Sequence, residues 1–538
     1  MKRSHFWKKA GVAMLAASAL VLTACSADPG GQDGNSSGGG DLGNGMVRIG
    51  TSTEVVNWTP ISSVSITDIW VMSQMYPILL RATSDGQYVP HLADSVEPSE
   101  DGSQVTMKLN PDFAWSDGTP ITVADVEFTL DRMRDDKLLS GVSFIGNYES
   151  TTIEDDHTAV IQLRQPSYGW GIDMAQSTSV LPKHVFEDVP NLQEFSIENE
   201  PERWVSGGAY TLDKVVAGQR YTFVPNEHYP LRAEGNDAVK GIEFQIYGDI
   251  NTMQLALRNN DIDLMAPVVP SSALGELEKQ KNIEITKADT ALNFTKLTFN
   301  ASEGPLSVPE VRAAISGLID TDAIVTNVLQ GQAETGVGPV IPAFTEYQPD
   351  ITAHKSTADE VKKVLADAGY ESPTLVLTCD QGNANHAKSA QLVRDMLAPA
   401  DITVDIKCAE RATSLASAKA GEFDLYIHKL NQLNSPSSNL FMQFDPSNPS
   451  GLNYNFTEDP VGADLLAKAQ TATNEQDYID AVKAAAKHIH EQAFMLPLYV
   501  EHLNSASNTS RFTGYVPTAV ETSTMVDGYS LAQVTQNK

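Results

Sequence analysis

Two short apolar runs that each end in cysteine constrain the fold of this chain more than any other part of its sequence. Residues 374–379 (TLVLTC) and 402–408 (ITVDIKC) have the length and composition of buried strands. Residues 387–397, between them, carry apolar side chains at helical spacing. A strand, a helix and a second strand in this order predict a βαβ unit, whose strands run parallel as neighbours.

The same unit predicts a disulfide between Cys379 and Cys408. Side chains alternate along a strand, so both cysteines fall on the buried faces at the carboxyl ends of adjacent strands. The chain has three cysteines, and Cys25 is assigned to another role below. The remaining two form an even pair, as expected for a disulfide in an exported protein. Two free buried thiols are the alternative.

Helix-like and strand-like segments alternate along the rest of the chain from Met46 onward. Residues 123–134, for example, form an amphipathic pattern preceded by Thr122, a suitable N-cap with Asp125 three residues later. No internal repeat interrupts this alternation. We therefore predict the α/β class with mixed sheets.

The N-terminus has the pattern of a cleaved leader. Residues 1–9 contain four basic residues and no acid, and residues 10–22 are almost entirely apolar. A helix of that length reaches about 20 Å, which is too short for a bilayer core of about 30 Å. Residues 1–24 are therefore interpreted as a signal peptide rather than as a membrane span.

The end of this leader, residues 22–25 (LTAC), resembles the bacterial lipobox. That resemblance implies that Cys25 becomes a thioether-linked diacylglycerol cysteine and the first mature residue. The alternative is an ordinary secretory signal that contains a cysteine. Residues 25–45 are rich in Gly, Ser and Asp, and are expected to act as a flexible tether.

Net charge excludes two classes of partner. The whole chain carries a formal charge of -32, and removal of the four leader cations brings the mature chain near -36. A basic nucleic-acid-binding surface is thereby excluded, as is attraction to an anionic membrane. The lipid is then the sole predicted membrane contact. The excess of acidic residues is most simply interpreted as favouring solubility. The alternative interpretation is that the negative field attracts cationic ligands, but net charge is not specific evidence for this.

An ordered set of short motifs extends over most of residues 47–499. In chain order the motifs are 76–80 (YPILL), 90–93 (PHLA), 99–102 (SEDG), 115–120 (WSDGTP), 124–126 (ADV) with Phe128, 181–184 (LPKH), 207–210 (GGAY), 226–229 (NEHY), 299–300 (FN), 311–315 (VRAAI), 319–320 (ID), 338–339 (GP), 368–370 (AGY), 421–424 (GEFD) and 496–499 (LPLY). This ordered set resembles the oligopeptide/dipeptide/nickel class of extracellular solute-binding proteins of ABC importers, family 5. The turn residues of the motifs, such as Gly118 and Pro120, are expected to identify the fold rather than to bind a ligand.

The resemblance implies a two-lobed periplasmic-binding-protein-like fold of class II, cluster C type, with an extra subdomain on the first lobe. The chain crosses between the lobes near Leu292 and Val500, which are the expected hinge. The implied ranges are 46–75, 185–291 and 501–538 for lobe I, 76–184 for the extra subdomain, and 293–500 for lobe II.

The resemblance also implies where a ligand binds. In peptide binders of this family an extended ligand pairs its backbone with two protein segments. The corresponding residues here are Thr53, Glu54, Val55, Val56, Asn57 and Trp58 in one segment, and Lys429, Leu430, Asn431 and Gln432 in the other.

The second segment departs from the family pattern. Those peptide binders carry a Trp-x-x-Asp sequence whose aspartate pairs with the peptide α-amine, whereas Lys429 and Gln432 occupy these positions here. A neutral glutamine is a poor partner for a desolvated ammonium group. The expected ligand is then a blocked or longer peptide, a glycan, or another solute whose amine is bound elsewhere. Trp58 is expected either to line the pocket or to pack against its lobe.

Known catalytic patterns are absent from the sequence. It contains no phosphate-binding loop, nucleophile elbow or zinc-helix motif. His488 and His490 are two residues apart on a predicted helix, so they diverge and are expected to be solvated. His428 lies at a predicted strand end, and it is more simply interpreted as a packed or solvated side chain than as a metal ligand. We predict no catalytic residue, no metal and no cofactor.

Together these features predict a monomeric, membrane-anchored binding protein on the extracytoplasmic face of the cell membrane. It captures a solute, most simply a peptide, by hinge closure and delivers it to the transmembrane subunits of an ABC permease. The alternatives are a signalling or adhesion lipoprotein with the same fold, and an importer component for a glycan or a metal chelate. A hydrolase is disfavoured because no catalytic constellation is present.

Overall fold

The computed structural model describes residues 45–59, 61, 65–138, 141, 144–448, 451–522 and 524–537. The predicted signal peptide, the lipidated Cys25 and the tether up to residue 44 lie outside the described residues. No helix among the described residues combines the length and apolar composition needed to cross a bilayer.

Strands and helices are interspersed along the described residues, as the predicted α/β class requires. The strands are β1 (Met46–Thr51), β2 (Leu80–Ala82), β3 (Tyr88–Pro90), β4 (Ala93–Pro98), β5 (Gln104–Leu109), β6 (Tyr148–Ile153), β7 (Thr158–Leu163), β8 (Tyr210–Val216), β9 (Arg220–Pro225), β10 (Gly241–Ile246), β11 (Leu264–Met265), β12 (Ile283–Lys287), β13 (Asn293–Phe299), β14 (Ala333–Glu334), β15 (Thr374–Asp380), β16 (Thr403–Ala409), β17 (Leu425–Asn431), β18 (Met495–Glu501), β19 (Asn504–Asn508), β20 (Phe512–Thr513) and β21 (Thr535–Gln536). The α-helices are α1 (Ile66–Met72), α2 (Val123–Asp135), α3 (Trp170–Ser177), α4 (Lys183–Phe186), α5 (Ile250–Arg258), α6 (Ser271–Leu277), α7 (Pro309–Leu318), α8 (Thr321–Leu329), α9 (Ala358–Asp367), α10 (Ala384–Leu397), α11 (Arg411–Lys419), α12 (Pro436–Phe444), α13 (Pro460–Gln470), α14 (Glu475–Glu491) and α15 (Gly528–Gln533).

Three larger sheets organise the described residues. The first has the strand order β12-β19-β11-β1-β10-β9-β8, with β1 parallel to both β10 and β11. The second has the order β14-β18-β13-β17-β15-β16, and the third is the antiparallel sheet β4-β5-β7-β6. All strands of the first sheet fall within the ranges predicted for lobe I, and all strands of the third fall within the predicted extra subdomain. The strands of the second sheet fall within the range predicted for lobe II, except that β18 extends one residue beyond it. The exact boundaries stay a prediction.

The predicted βαβ unit is confirmed in the second sheet. β15 and β16 pair in parallel, with Cys379 directly opposite Cys408, and α10 connects them. The two cysteines form a disulfide with their Cα atoms 4.3 Å apart. Leu375 and Leu377 on β15 are fully buried in the core of this sheet, which explains the apolar run.

Helix α2 also begins where the sequence predicts. The backbone N–H of Thr122 donates to Asp125 Oδ2 at 2.9 Å, as in a capping box. The other oxygen of Asp125 accepts the N–H of Lys183 at 2.9 Å, which ties α2 to the start of α4. Trp115 is fully buried beside this cap, so the family motif around it is structural.

Candidate functional site

A cavity of about 440 Å³ lies where several parts of the fold meet. Its wall combines α1, the β2–β3 hairpin, the end of α3 and the C-terminal segment with Leu433, the residue that follows the predicted ligand segment. The cavity size is within the range of about 300–1,000 Å³ that is usual for ligand pockets. The lining residues used below are Ile69, Met72, Tyr76, Ile78, Arg81, Tyr88, His91, Tyr229, Leu433, Val520, Asp527 and Tyr529.

Arg81, on β2, places a cation in this cavity wall. Its guanidinium carbon lies 3.8 Å from the centre of the Tyr529 ring, close enough for a cation–π contact. Its Nε atom is buried and has no hydrogen-bond partner among the described residues. The stacked ring fixes the plane of the guanidinium.

Asp527 contributes the opposite charge. Its Oδ1 atom caps α15 by accepting the Ser530 N–H at 2.9 Å, while Oδ2 is buried without a partner in the described part of the chain. Burial raises the pKa of this carboxyl to about 6, although the Ser530 hydrogen bond and the Arg81 charge oppose the shift. The group is therefore ionised at neutral pH but close to its titration range.

The remaining polar groups of the wall are neutral. His91 contacts the Ile78 carbonyl O through Nδ1 at 2.9 Å and the Tyr229 hydroxyl through Nε2 at 2.8 Å. Burial lowers the pKa of His91 to about 4, so its ring is uncharged at pH 7. The Tyr76 hydroxyl is buried without a partner among the described residues.

The first predicted ligand segment, residues 53–58, is not part of the cavity lining. It folds over the start of α1 instead: the N–H groups of Val56 and Asn57 donate to Asp68 Oδ1 at 2.8 and 3.3 Å. The Val55 N–H donates to the Tyr221 hydroxyl at 2.9 Å. Val56 is nevertheless 68% exposed, so its side chain is accessible from solvent.

The remaining side chains of this segment have different surroundings. Thr53 and Glu54 are exposed, and the Thr53 hydroxyl lies 2.7 Å from that of Thr67 on α1. Trp58 is 6% exposed and packs edge-on against Tyr221, with ring centres 5.1 Å apart. Of the two interpretations of Trp58, the structure supports packing against its lobe.

The second predicted segment, residues 429–432, lies at the end of β17 beside the predicted hinge. Lys429, Leu430 and Asn431 pair with β13 on one side, while β15 reaches only residues 425–427 on the other. Their second ladder edge is thus unpaired among the described residues, as strand addition by a ligand requires.

Two side chains of this second segment already have protein partners. Lys429 Nζ lies 2.5 Å from Glu521 Oε1 and 4.0 Å from Glu501 Oε2. Gln432 is buried, and its side-chain amide donates to the Pro339 carbonyl at 3.2 Å. Its backbone N–H donates to the Leu292 carbonyl at 2.8 Å. The segment therefore provides backbone groups rather than a free negative charge.

A buried carboxylate joins α3 to the start of α12. Asp173 Oδ1 accepts the Ser435 N–H at 2.5 Å, and Oδ2 accepts the hydroxyls of Ser435 and Ser438 at 3.1 and 2.5 Å. Burial raises the pKa of Asp173 to about 6, although these three hydrogen bonds each lower it. A second cavity, of about 420 Å³, lies beside this contact and is lined by Phe144, Phe441 and others.

The expectation that His488 and His490 are solvated is wrong. His488 Nε2 lies 2.8 Å from Asp459 Oδ2, and His490 is only 8% exposed. The His490 ring stacks on His354 at 4.5 Å and contacts the Thr352 carbonyl at 2.9 Å. Helix α14 packs these side chains under neighbouring loops, which the local pattern does not encode.

His428 is buried on β17 of the second sheet. It stacks on Tyr426 with ring centres 4.5 Å apart, and its Nε2 lies 3.0 Å from the Thr298 hydroxyl. β17 continues to Asn431, so His428 is inside the strand rather than at its end. Among the described residues, no group of three or more His, Cys, Asp or Glu is arranged to hold a metal ion.

Sequence reasoning missed Arg81, Asp527 and Tyr529. Arg81 directly follows the apolar run of residues 76–80 at the start of the hairpin. A single cation beside an apolar run was the sequence feature that could have indicated a binding residue. Asp527 and Tyr529 lie more than 400 residues further along the chain. Only the tertiary fold brings them to Arg81.

Comparisons with known proteins agree with this architecture. The CtaP substrate-binding protein of an ABC transporter from Listeria monocytogenes has a TM-score of 0.80 at 19% identity, covering 92% of this chain and 100% of that one. The oligopeptide-binding protein AppA of Bacillus subtilis, solved with a nonapeptide, has a TM-score of 0.72 at 20% identity, covering 92% and 99%. The fold is therefore the two-lobed periplasmic-binding-protein-like fold with mixed sheets and an extra subdomain.

The sequence comparisons give the family. The probable D,D-dipeptide-binding periplasmic protein DdpA of Escherichia coli (strain K12) is 25% identical over 480 residues, which cover 86% of this chain and 90% of DdpA. The model of the bacterial extracellular solute-binding proteins, family 5 (middle), matches residues 87–451. Members of this family are binding proteins rather than enzymes. The chain belongs to the bacterial extracellular solute-binding proteins of family 5.

Proposed function

We propose that this chain is the substrate-binding component of an ABC importer and that it captures a peptide in the cavity lined by Arg81 and Asp527. The observation that carries the proposal is the position of this cavity, whose wall includes Leu433, two residues after the end of β17, where residues 429–431 have one ladder edge unpaired among the described residues. The printed names of DdpA and AppA, a dipeptide binder and an oligopeptide binder, support a peptide as the solute.

Capture is proposed to occur by closure about the two interlobe crossings. At the first crossing, the Leu292 N–H donates to the Ala519 carbonyl and the Leu292 carbonyl accepts the Gln432 N–H, both at 2.8 Å. The hinge is thus tied to the C-terminal segment and to the predicted ligand segment. A ligand shifts such an equilibrium only through its better contacts with the closed form.

Membrane anchoring completes the proposed role. Cys25 carries the lipid, the tether lets the folded body reach the transmembrane subunits, and the protein acts as a monomer on the extracytoplasmic face. The acidic mature chain does not itself adhere to an anionic membrane, so the lipid is the anchor.

Mass spectrometry of the protein as purified, followed by thermal-shift assays, tests the solute class. Peptides, glycans and metal chelates are compared, and a ligand at about 100 times its Kd stabilises by about 2.7 kcal/mol. We expect a peptide in the purified protein and stabilisation by peptides. Stabilisation by a glycan or chelate and by no peptide contradicts the proposal. Loss of peptide uptake in cells that lack the gene separates import from a signalling or adhesion role.

A further inference from the structure

Helix α3 extends from one cavity to the other. Trp170, its first residue, lines the second cavity, whereas Gln176, near its end, lines the ligand cavity. Residues 433–438 lie against the helix in the opposite order, because Leu433 lines the ligand cavity and Ser438 lines the second cavity. Among the described residues, none lines both cavities. The contact between α3 and residues 433–438, which we call the partition, therefore separates the two cavities.

Hydrogen bonds close the partition. Gln176 Nε2 donates to Asn434 Oδ1 at 2.8 Å. The carboxylate of Asp173 accepts the Ser435 N–H at 2.5 Å and the Ser435 hydroxyl at 3.1 Å. Asp173 and Ser435 are only 3% and 1% exposed, so the partition excludes solvent between the two cavities.

The partition is thin but tightly packed. Asp173 and Gln176 are three residues apart on α3, which corresponds to a rise of about 4.5 Å. One or two extended residues of a ligand, at about 3.3–3.6 Å each, are long enough to cross it. A Cβ built on Gly169, however, lies 2.9 Å from the Tyr478 hydroxyl and 3.0 Å from Ser435 Oγ. An added methyl group does not fit there, so a peptide chain crosses only if the partition opens.

Building on the proposed function, we propose that the partition sets the maximum length of the bound peptide. The ligand cavity, of about 440 Å³, is about 9 Å across if it is round, which corresponds to two or three extended residues at about 3.3–3.6 Å each. A longer peptide has to separate Asp173 from Ser435 in order to continue into the second cavity. This separation removes at least one hydrogen bond to a charged group, which corresponds to about 10- to 100-fold in affinity.

The second cavity is suited to receive the extra residues once the partition is open. Its volume of about 420 Å³ is close to that of the ligand cavity, so joining the two roughly doubles the space for a ligand. Its wall combines the apolar rings of Phe144 and Phe441 with the side-chain amides of Gln165 and Gln470. Such amides can both donate to and accept from a peptide backbone.

Calorimetry with peptides of two to six alanine and leucine residues tests the proposal. In the Gly169→Ala variant the added methyl group displaces Ser435, which opens the partition. The backbone of Gly169 has φ −77° and ψ −12°, a conformation that alanine adopts without strain. Gly171→Ala is the matched control on the same helix, because the nearest atoms to its Cβ belong to the side chains of Val96 and Val105, at 3.3 and 3.5 Å.

A second variant tests where the extra residues go. Ala467, on α13, lines the second cavity, so Ala467→Trp fills part of that cavity. Alone, it should leave the binding of di- and tripeptides unchanged. Combined with Gly169→Ala, it should close the route that the first substitution opens.

For the wild type and the Gly171→Ala control, affinity is expected to fall about 10- to 100-fold between tripeptides and pentapeptides. For Gly169→Ala this fall should disappear, and in the double variant with Ala467→Trp it should return. Peptide lengths are compared within each protein, so a lower stability of one variant does not imitate the result. The wild-type series does not depend on any variant folding.

Each way in which the proposal can fail has its own signature. Equal affinity of the wild type for tripeptides and pentapeptides overturns this inference and leaves the proposed function standing. A length limit that persists in Gly169→Ala places the limit elsewhere in the cavity wall and rejects the partition. Strong pentapeptide binding by the double variant rejects the second cavity as the place of the extra residues. Absence of binding by peptides of every length refutes the proposed function as well.

Discussion

Replacement of Asp173 by asparagine tests how α3 is held against the segment that follows β17. The carboxylate is buried and accepts hydrogen bonds from the Ser435 N–H, the Ser435 hydroxyl and the Ser438 hydroxyl. The titratable groups that sense its charge are Tyr88 and Tyr478, and burial raises the pKa of both well above neutrality. Asp173 is thus the group that titrates at this contact between pH 4 and pH 8.

The magnitude follows from the pKa of Asp173. Burial raises it from 3.8 to about 6, so the folded protein binds the proton more tightly than the unfolded chain does. The ionised carboxylate therefore destabilises the fold above pH 6, by about 3 kcal/mol for a shift of this size. The penalty decreases as the pH falls through 6 and is gone below the unfolded pKa.

Urea unfolding of the wild type and of Asp173→Asn between pH 7.5 and pH 4 measures this effect. The free energy of unfolding of the wild type, relative to the variant, should rise by about 2–3 kcal/mol over this range. Asp249→Asn is a control of opposite sign, because hydrogen bonds from Thr252 lower the pKa of the exposed Asp249. A pH-independent difference for Asp173→Asn, or one that falls towards pH 4, refutes the reasoning.

Three further predictions concern other parts of the chain. Replacing Cys379 and Cys408 together with serine opens a loop of 29 residues and should lower the free energy of unfolding by about 3.5 kcal/mol; an unchanged urea midpoint contradicts this. Gly208→Ala places a Cβ 2.8 Å from the carbonyl carbon of Gln74, so a thermal melt should show a Tm lower by several degrees. Gly146→Ala is the control, because its Cβ meets nothing within 4 Å and its Tm should not fall; an equal Tm for both variants contradicts the prediction. Cys25→Ser should release the protein into the medium with unchanged ligand affinity, measured by fractionation and calorimetry; retention on the membrane contradicts lipidation.

Elements with a strong local pattern were predictable from the sequence. The βαβ unit of β15, α10 and β16 and the capped start of α2 depend on periodicity and capping within a few residues. β13 was missed because it carries Thr295 and Lys296 in its interior, although every residue of the strand is buried. Lys296 is accommodated by a hydrogen bond to Gln443 at 2.7 Å, a contact between distant parts of the chain.

The candidate site was only partly predictable for the same reason. The family resemblance located the end of β17, two residues before Leu433 of the cavity wall, but not the charges of that wall. Arg81 and Asp527 belong to segments far apart in sequence, and neither has a local pattern that indicates binding. Residues 53–58 fold over the start of α1 instead of lining the cavity, since Asp68 accepts the N–H groups of Val56 and Asn57.

A crystal structure of the protein with its tightest-binding peptide tests the central claim most directly. We expect peptide density in the cavity between Arg81, Tyr529 and Leu433. Density confined to the second cavity, beside Phe144, or absence of peptide from both cavities at saturating concentration, contradicts the claim.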